Sequence, residues 1–401
     1  MAVSAHNTIP SPQELIRAAE LETGLSDWST EFTGDPFGSL EILVQDLNTT
    51  AQLHELGIRR IHRRLHETLC SRLKYIADRK RYPQIAHEKL EAPIFILGLP
   101  RSGTTFLHNL LGADPANRAP RSFEMHFPAH KTTLPLAREL RARICHESFA
   151  FQGLLDDDWQ AVHPMGAARA EECTFIWELA LLSVNYTAMA EVPNYEAHLY
   201  ARDFRSIYRE ERAFLQYLQH CEGRPRWILK TPIHVRFLQE ILEVFPNATF
   251  VHCHRDTARI YPSIAHLTTV LRSKTADLAP GHNTVIKDYD GTWAQALEFR
   301  RRPGMASRFV DIDFVGFQAD PLGTVESIYR RFDIGLTSAR RAALEAWLTN
   351  DRAAHQKRPQ HHYTLADAGL TLAELDRATG EYLHTFNVTL ERSRAPPGAA
   401  E

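Results

Sequence analysis

The sequence predicts an α/β protein: a mainly parallel central sheet flanked by helices, with a helical N-terminal extension and a large helical insertion. Three observations predict it. The apolar run Ala92-Pro-Ile-Phe-Ile-Leu97 enters a Gly- and Pro-containing turn and then the amphipathic segment FLHNLLG, which is the order strand, loop, helix. From Trp227 to Phe332, short β-rich runs alternate with helical periodicity, as right-handed βαβ units require. Elsewhere the apolar residues recur every three or four positions, the spacing of helices.

Each element has a local reason. Ser11-Pro12-Gln13-Glu14 places a serine at an N-cap, a proline at the first helical position and a glutamate three residues after the cap, opening a helix that ends near Gly24. Ile58, Ile61, Leu65, Leu69, Leu73 and Ile76 form the apolar face of a longer helix, and Arg59, Arg60, Arg63 and Arg64 read as its solvated side. After the first strand and its loop-helix, the chain reads as helical from about Thr132 to Gln219, with Pro164 and Pro193 breaking it. Strands follow at Trp227-Ile-Leu229, Ala248 to Cys253 and Arg308 to Asp313, separated by helical patterns at Val235 to Phe245 and Thr257 to Leu271 and followed by one at Leu322 to Phe332. Ser273 to Gly291 has no period and reads as a mobile loop over the site. The expected organisation is a helical extension over 1–91 packed on the core, a domain over 92–390 carrying the helical insertion at 128–220, and a disordered tail over 391–401.

Composition narrows the function classes. The net charge of −3 argues against a general nucleic-acid or anionic-membrane binder, so any anion site must be local. No apolar run is long enough for a transmembrane helix, and the N-terminus lacks the basic-then-apolar order of a signal peptide, so a cytoplasmic protein is expected. The five cysteines never form a C-x-x-C pair and read as buried small residues. His252-Cys253-His254 and His361-His362 lack a metal-binding frame, and no metal site is expected.

The loop Gly98-Leu-Pro-Arg-Ser-Gly-Thr-Thr105 reads as an anion site of P-loop type. Its glycines let backbone N–H groups converge, and the helix N-terminus behind them adds about half a positive charge. It departs from the nucleotide-binding form G-x-x-x-x-G-K-[ST] at Thr104, where that form has Lys, and its only cation is Arg101. Without that Lys and a Mg²⁺-holding carboxylate, phosphoryl transfer lacks its charge-neutralising groups. Further on, Arg255 stands where a buried strand hands over to a helix, and Ser263 lies two helical turns along, roughly on the same side. A cation at the end of a buried strand is costly unless an anion meets it.

The string LPRSGTT resembles the 5′-phosphosulfate loop of sulfotransferases, and Arg255 with Ser263 resembles their 3′-phosphate grip. LPRSGTTFLHNLLGADP, LKTPIHVRFLQEILEVFPNATFVHCHRDTARIYPSIAHL, RFVDIDFVGFQADPLGTVESIYRRFDIGLT and HHYTLADAGLTLAELDRATGEYLHTF together look like the bacterial branch that shares its loop with tyrosylprotein sulfotransferases. The resemblance implies 3′-phosphoadenosine 5′-phosphosulfate (PAPS) as donor, no metal, and transfer of a sulfuryl group to a hydroxyl. It implies that Arg101, Ser102, Gly103, Thr104 and Thr105 hold the 5′ end of the donor and Arg255 and Ser263 its 3′-phosphate. Where cytosolic small-molecule sulfotransferases carry Lys, this chain has Arg101, a charge clamp and not a proton donor. Lys230, at the end of a strand, is a second candidate cation.

For the general base the resemblance favours Glu124, 23 residues after Arg101, with His126, His108 and the pair Glu171-Glu172 as rivals. The insertion is the candidate acceptor side. Its aromatics Trp159, Phe175, Trp177, Tyr186, Tyr195, Tyr200 and Phe204 line either an apolar pocket or simply a core. A small-molecule or lipid-like alcohol or phenol, a glycan and a peptide tyrosine all remain open as acceptors, and a homo-oligomer is compatible with the sequence. The alternatives to a sulfotransferase are a P-loop kinase using ATP and Mg²⁺ and a non-catalytic nucleotide-binding regulator.

Overall fold

The computed structural model describes residues 8–129, 135–223, 226–278, 290–355 and 364–392. The chain forms two compact units, one of Met1–Leu90, Pro120–Arg224 and Val270–Ala279 and the other of Glu91–Ala119, Pro225–Thr269 and Pro280–Glu401.

The second unit holds the sheet. Its described strands are β1 (Ile94–Leu97), β2 (Asn117–Arg118), β3 (Arg226–Lys230), β4 (Thr249–His254) and β5 (Phe309–Asp313), in the order β2-β3-β1-β4-β5. Every pairing is parallel, and β1 at the centre aligns Ile96 with Lys230 on one side and with Val251 on the other. All four residues of β1 are buried because helices cover both faces, which is why it reads as an unbroken apolar run. On one face Ile94, Ile96, Ile228, Val251 and Ile312 pack with Leu107, Leu110 and Leu111 of the helix Thr104–Gly112 and with Val325, Ile328 and Leu344 of later helices. On the other, Phe95 meets Phe245, Phe250 and His234 with ring centroids 5.0–6.1 Å apart. Four strands fall where the sequence predicts them; β2 is an addition. Its two polar residues carry no apolar signal and pair only because β3 runs beside them.

The first unit is helical. The Ser11 capping box opens Pro12–Thr23, and Gly24 closes it in the left-handed region at φ 67°. The helix Glu55–Arg81 buries Ile61, Leu65, Leu69, Leu73 and Ile76 as expected, but it also buries Arg64 and Arg72. The expectation of a solvated arginine face fails at Arg64. Three residues beyond Ile61, it lies on the apolar side, where Glu178 meets it at 2.5 and 3.0 Å. The region after residue 134 is broken into Pro135–Phe151, Asp157–Val162, Thr174–Glu178, Asn185–Met189, Pro193–Tyr200 and Phe204–Glu222. Trp159, Trp177, Tyr186, Tyr195 and Phe204 are buried in this unit, so these aromatics are core. Tyr195 is held by its hydroxyl, which donates to Leu181 O at 3.0 Å and accepts from Ser183 N at 2.9 Å.

Of the loop expected over 273–291, Lys274 is anchored by Asp156 and Asp158, and Ala276 bridges to Leu53; 279–289 lie outside the described residues. Of the tail expected over 391–401, Glu391 and Arg392 are bound by ionic partners; His361 and His362 and residues 393–401 lie outside the described residues.

Candidate functional site

In a parallel sheet the carboxyl ends of the strands face one edge, and ligands bind there. β1, β3 and β4 deliver to that edge the loop 98–105, Lys230 and Arg255. The loop is shaped by two glycines. Gly98 has φ 133°, and a Cβ there would lie 2.5 Å from Cys253 O and 2.8 Å from Ser102 Oγ. Gly103 has φ 89° and caps Thr104–Gly112. Between them Arg101 takes φ 71°, in the left-handed region that costs a side-chain-bearing residue of order 1–3 kcal/mol. Ser102 is buried, and its hydroxyl donates to Leu99 O at 2.7 Å, so it ties the turn shut while its backbone N–H adds a second, 3.3 Å bond to the same carbonyl.

Arg101, Arg255 and Ser263 form one network. Arg101 Nε donates to Ser263 Oγ at 3.0 Å, and Arg255 Nη1 donates to Arg101 O at 2.8 Å. Ser263 reaches this point from the helix Thr257–Ser273, which continues through Pro262. The Arg255 guanidinium lies over the Phe314 ring, 3.8 Å from its centroid. Its remaining edge is bidentate with Glu391, Nε to Oε2 at 2.8 Å and Nη2 to Oε1 at 3.1 Å.

Lys230 is only 1% exposed, and its Nζ donates to Thr105 Oγ1 at 3.3 Å. A surface lysine at a strand end is thereby excluded. Burial first, and then the Lys230 ammonium, hold the neighbouring His234 well below the ordinary histidine range. Thr104 is buried at the first position of the loop-helix. His108 is buried in the same helix, and its Nε2 meets Ile228 O at 3.0 Å, which binds it to β3.

Glu124 and His126 belong to the other unit, on the short helix Ser122–His126. Glu124 is 2% exposed, and its carboxylate accepts from Arg121 N at 2.9 Å and Arg121 Nη2 at 2.6 Å. Arg121 also pairs with Glu222. The Arg121 guanidinium gives this buried carboxylate an ion-pair partner, without which its burial would be costly. The His126 ring packs against Phe149 and Phe175 at 5.1 and 4.9 Å, and its Nε2 has no hydrogen-bond partner. Burial, with Arg64 adding to it, lowers its pKa to about 3, so it stays neutral at any ordinary pH. Glu171 is buried, accepting from Glu172 N at 3.0 Å and lying 3.4 Å from His163 Nε2.

Ligand atoms that could hold a cation converge at Glu22, His66 and Cys70 and at His252, His254 and Asp311. In the latter group Arg300 already binds both His252 Nδ1 at 3.1 Å and Asp311 at 2.6 and 2.7 Å. Although burial opposes it, the hydrogen bonds from His254 and Arg300 hold Asp311 far below the carboxylate range. Phe314 under Arg255, Arg121 beside Glu124 and Glu391 against Arg255 are the site-adjacent residues that the sequence did not mark. Arg121 had a signal, since it stands at the N-cap position three residues before Glu124.

The family model described as the sulfotransferase family matches residues 93–338. Two curated relatives, the omega-hydroxy-beta-dihydromenaquinone-9 sulfotransferases Stf3 of Mycobacterium bovis (strain ATCC BAA-935 / AF2122/97) and Mycobacterium tuberculosis (strain CDC 1551 / Oshkosh), are each 28% identical over 256 residues. That match covers 61% of this chain and 63% of theirs, so the chain spans somewhat less than two thirds of the length of these relatives. Among solved structures, sulfotransferase STF1 from Mycobacterium tuberculosis H37Rv is similar at TM-score 0.77 and 29% identity, over 93% of this chain and 99% of that one. Sulfotransferase STF9 from Mycobacterium avium is similar at TM-score 0.78 and 26% identity, over 97% and 100%.

Proposed function

The chain belongs to the sulfotransferase family, and we propose that it transfers a sulfuryl group from PAPS to the hydroxyl of a lipid-like alcohol, by metal-free in-line displacement with a glutamate as base. The observation that carries the reading is the contact of Arg101 with both Ser263 and Arg255, because it joins the loop and the end of β4 into one cationic cradle. In this reading Arg255 and Ser263 grip the 3′-phosphate of the donor, and Arg101, with Ser102, Gly103, Thr104 and Thr105, meets its 5′ end. The cradle fits such a donor: Gly98 lets the loop close against Cys253 O and Gly103 lets it close against Phe314, and the cations that answer the two anionic ends come from the loop, β3 and β4.

Lys230, buried beside Thr105, supplies positive charge where the bond to the leaving phosphate breaks. Glu124 takes the acceptor proton, and the hydrogen bonds from Arg121 hold its carboxylate in place. The lipid-like acceptor is favoured because the curated relatives are named for an ω-hydroxylated dihydromenaquinone.

Incubation with sulfur-labelled PAPS and a panel of ω-hydroxylated prenyl quinones, long-chain alcohols, phenols, glycans and tyrosine peptides tests the reading. Label should pass to a lipid-like alcohol without added metal. Phosphate transfer from ATP with Mg²⁺, and no sulfate transfer to any acceptor, would establish the kinase instead. Binding of 3′,5′-adenosine bisphosphate without turnover would indicate a regulator.

A further inference from the structure

We propose that Glu391 is a built-in stand-in for the donor's 3′-phosphate, which the incoming nucleotide must displace from Arg255. The inference rests on the assignment of Arg255 to that phosphate. A guanidinium offers its Nε–Nη2 edge as a fork for two oxygens of one anion. Here both prongs are taken by the two oxygens of the Glu391 carboxylate, at 2.8 and 3.1 Å. The other donors cannot replace that edge. Nη1 is committed to Arg101 O, and the ring of Phe314 covers one face of the guanidinium. A phosphate that used the fork would put its charge against the carboxylate, so the two anions exclude each other.

Glu391 is not a free side chain that happens to swing in. Its N–H donates to Asp256 Oδ2 at 2.9 Å, and its carbonyl accepts from Arg259 Nη2 at 2.9 Å. Next to it, Arg392 bridges Asp256 at 3.4 Å and Asp376 at 2.7 Å, while Thr389 N donates to Asp313 Oδ1 at 3.0 Å. The segment 389–392 is thus strapped to the start of the helix Thr257–Ser273, to the end of β5 and to the helix Leu372–Thr385. Two consequences follow. A nucleotide without a 3′-phosphate leaves the Glu391–Arg255 pair intact and gains nothing from Arg255, so the pair lowers the affinity for the bisphosphate alone. A nucleotide with one releases the strap when it binds.

The test is calorimetric titration of the full chain with 3′,5′-adenosine bisphosphate and, separately, 5′-AMP. Glu391→Gln keeps the size and one acceptor oxygen but drops the charge; it should bind the bisphosphate roughly tenfold more tightly and 5′-AMP unchanged, the scale of one lost competing charge-assisted pair. Arg392→Ala, which loosens the strap without touching Arg255, should shift the bisphosphate affinity in the same direction by a smaller factor. Unchanged or weaker bisphosphate binding in both variants overturns the proposal and makes Glu391 a residue that positions Arg255. Should Glu391→Gln not fold, Arg392→Ala alone decides by the same criterion. Arg255→Ala separates the two levels. If it leaves bisphosphate affinity equal to that of the parent, the 3′-phosphate assignment itself is wrong; if it weakens binding while the Glu391 and Arg392 variants match the parent, only the stand-in is wrong.

Discussion

Gly98→Ala probes the base of the loop, where β1 turns away from β4. The glycine sits at φ 133°, a region that residues with a side chain almost never occupy, and holding alanine there costs of order 1–3 kcal/mol. The new Cβ would also lie 2.5 Å from Cys253 O and 2.8 Å from Ser102 Oγ. Cys253 O belongs to a central strand and retreats only by bending β4, whereas Ser102 Oγ must give up its 2.7 Å bond to Leu99 O. Together these place the loss of stability at about 2–4 kcal/mol. Because the same displacement spreads the loop that carries Arg101, affinity for 3′,5′-adenosine bisphosphate should fall at least about tenfold, or 1.4 kcal/mol. Urea unfolding and calorimetric titration measure the two effects. Gly38→Ala is the control: no atom lies within 4 Å of its added Cβ in the helix Phe37–Thr49, so stability should hold or rise by up to about 1 kcal/mol. A Gly98→Ala protein within about 0.5 kcal/mol of the parent, with unchanged nucleotide affinity, would refute the account of a loop closed against β4.

Three further outcomes are expected. Glu124→Gln should bind the donor product normally and turn over about 10²–10⁴-fold more slowly; undiminished turnover in steady-state assays would pass the base role to Glu171 or Glu172. Lys230→Met should lower kcat by about 10²–10³ with a much smaller effect on nucleotide affinity, since its charge is assigned to the transition state; a loss confined to KM would contradict that. His126 is neutral in the folded chain down to about pH 3 but takes its proton near 6.5 when unfolded. The unfolded state therefore binds more protons between these values, and stability falls on acidification from 6.5 towards 3. His126→Phe should make that fall shallower by up to about 1.4 kcal/mol per pH unit, read from urea midpoints between pH 4 and 7. An unaltered slope would mean that the ring is not sealed from solvent.

What the sequence made legible was what neighbours along the chain decide. β1 announced itself because both of its faces are covered, and the loop because glycines and a helix start follow at once. Ser263 was readable beside Arg255 because eight residues of helix return a side chain to nearly the same side, and Arg101 closes the gap at 3.0 Å. Lys230 was not readable in the same way. A lysine at a strand end looks identical in sequence whether it meets water or, as here, lies buried beside Thr105.

The misreadings share a cause. Arg64 looked like one of four solvated arginines, yet Glu178, 114 residues away, permits its burial. Glu391 looked like the start of a loose tail, yet Arg255, 136 residues away, captures it. A buried charge is tolerable only with a partner, and the partner's distance along the chain leaves no periodicity to detect. An arginine at the end of a buried strand therefore foretells that an anion will meet it without saying which one. At Arg255 the fold supplies a carboxylate where the proposed reaction requires a phosphate, and that mismatch is what makes the exchange between them measurable.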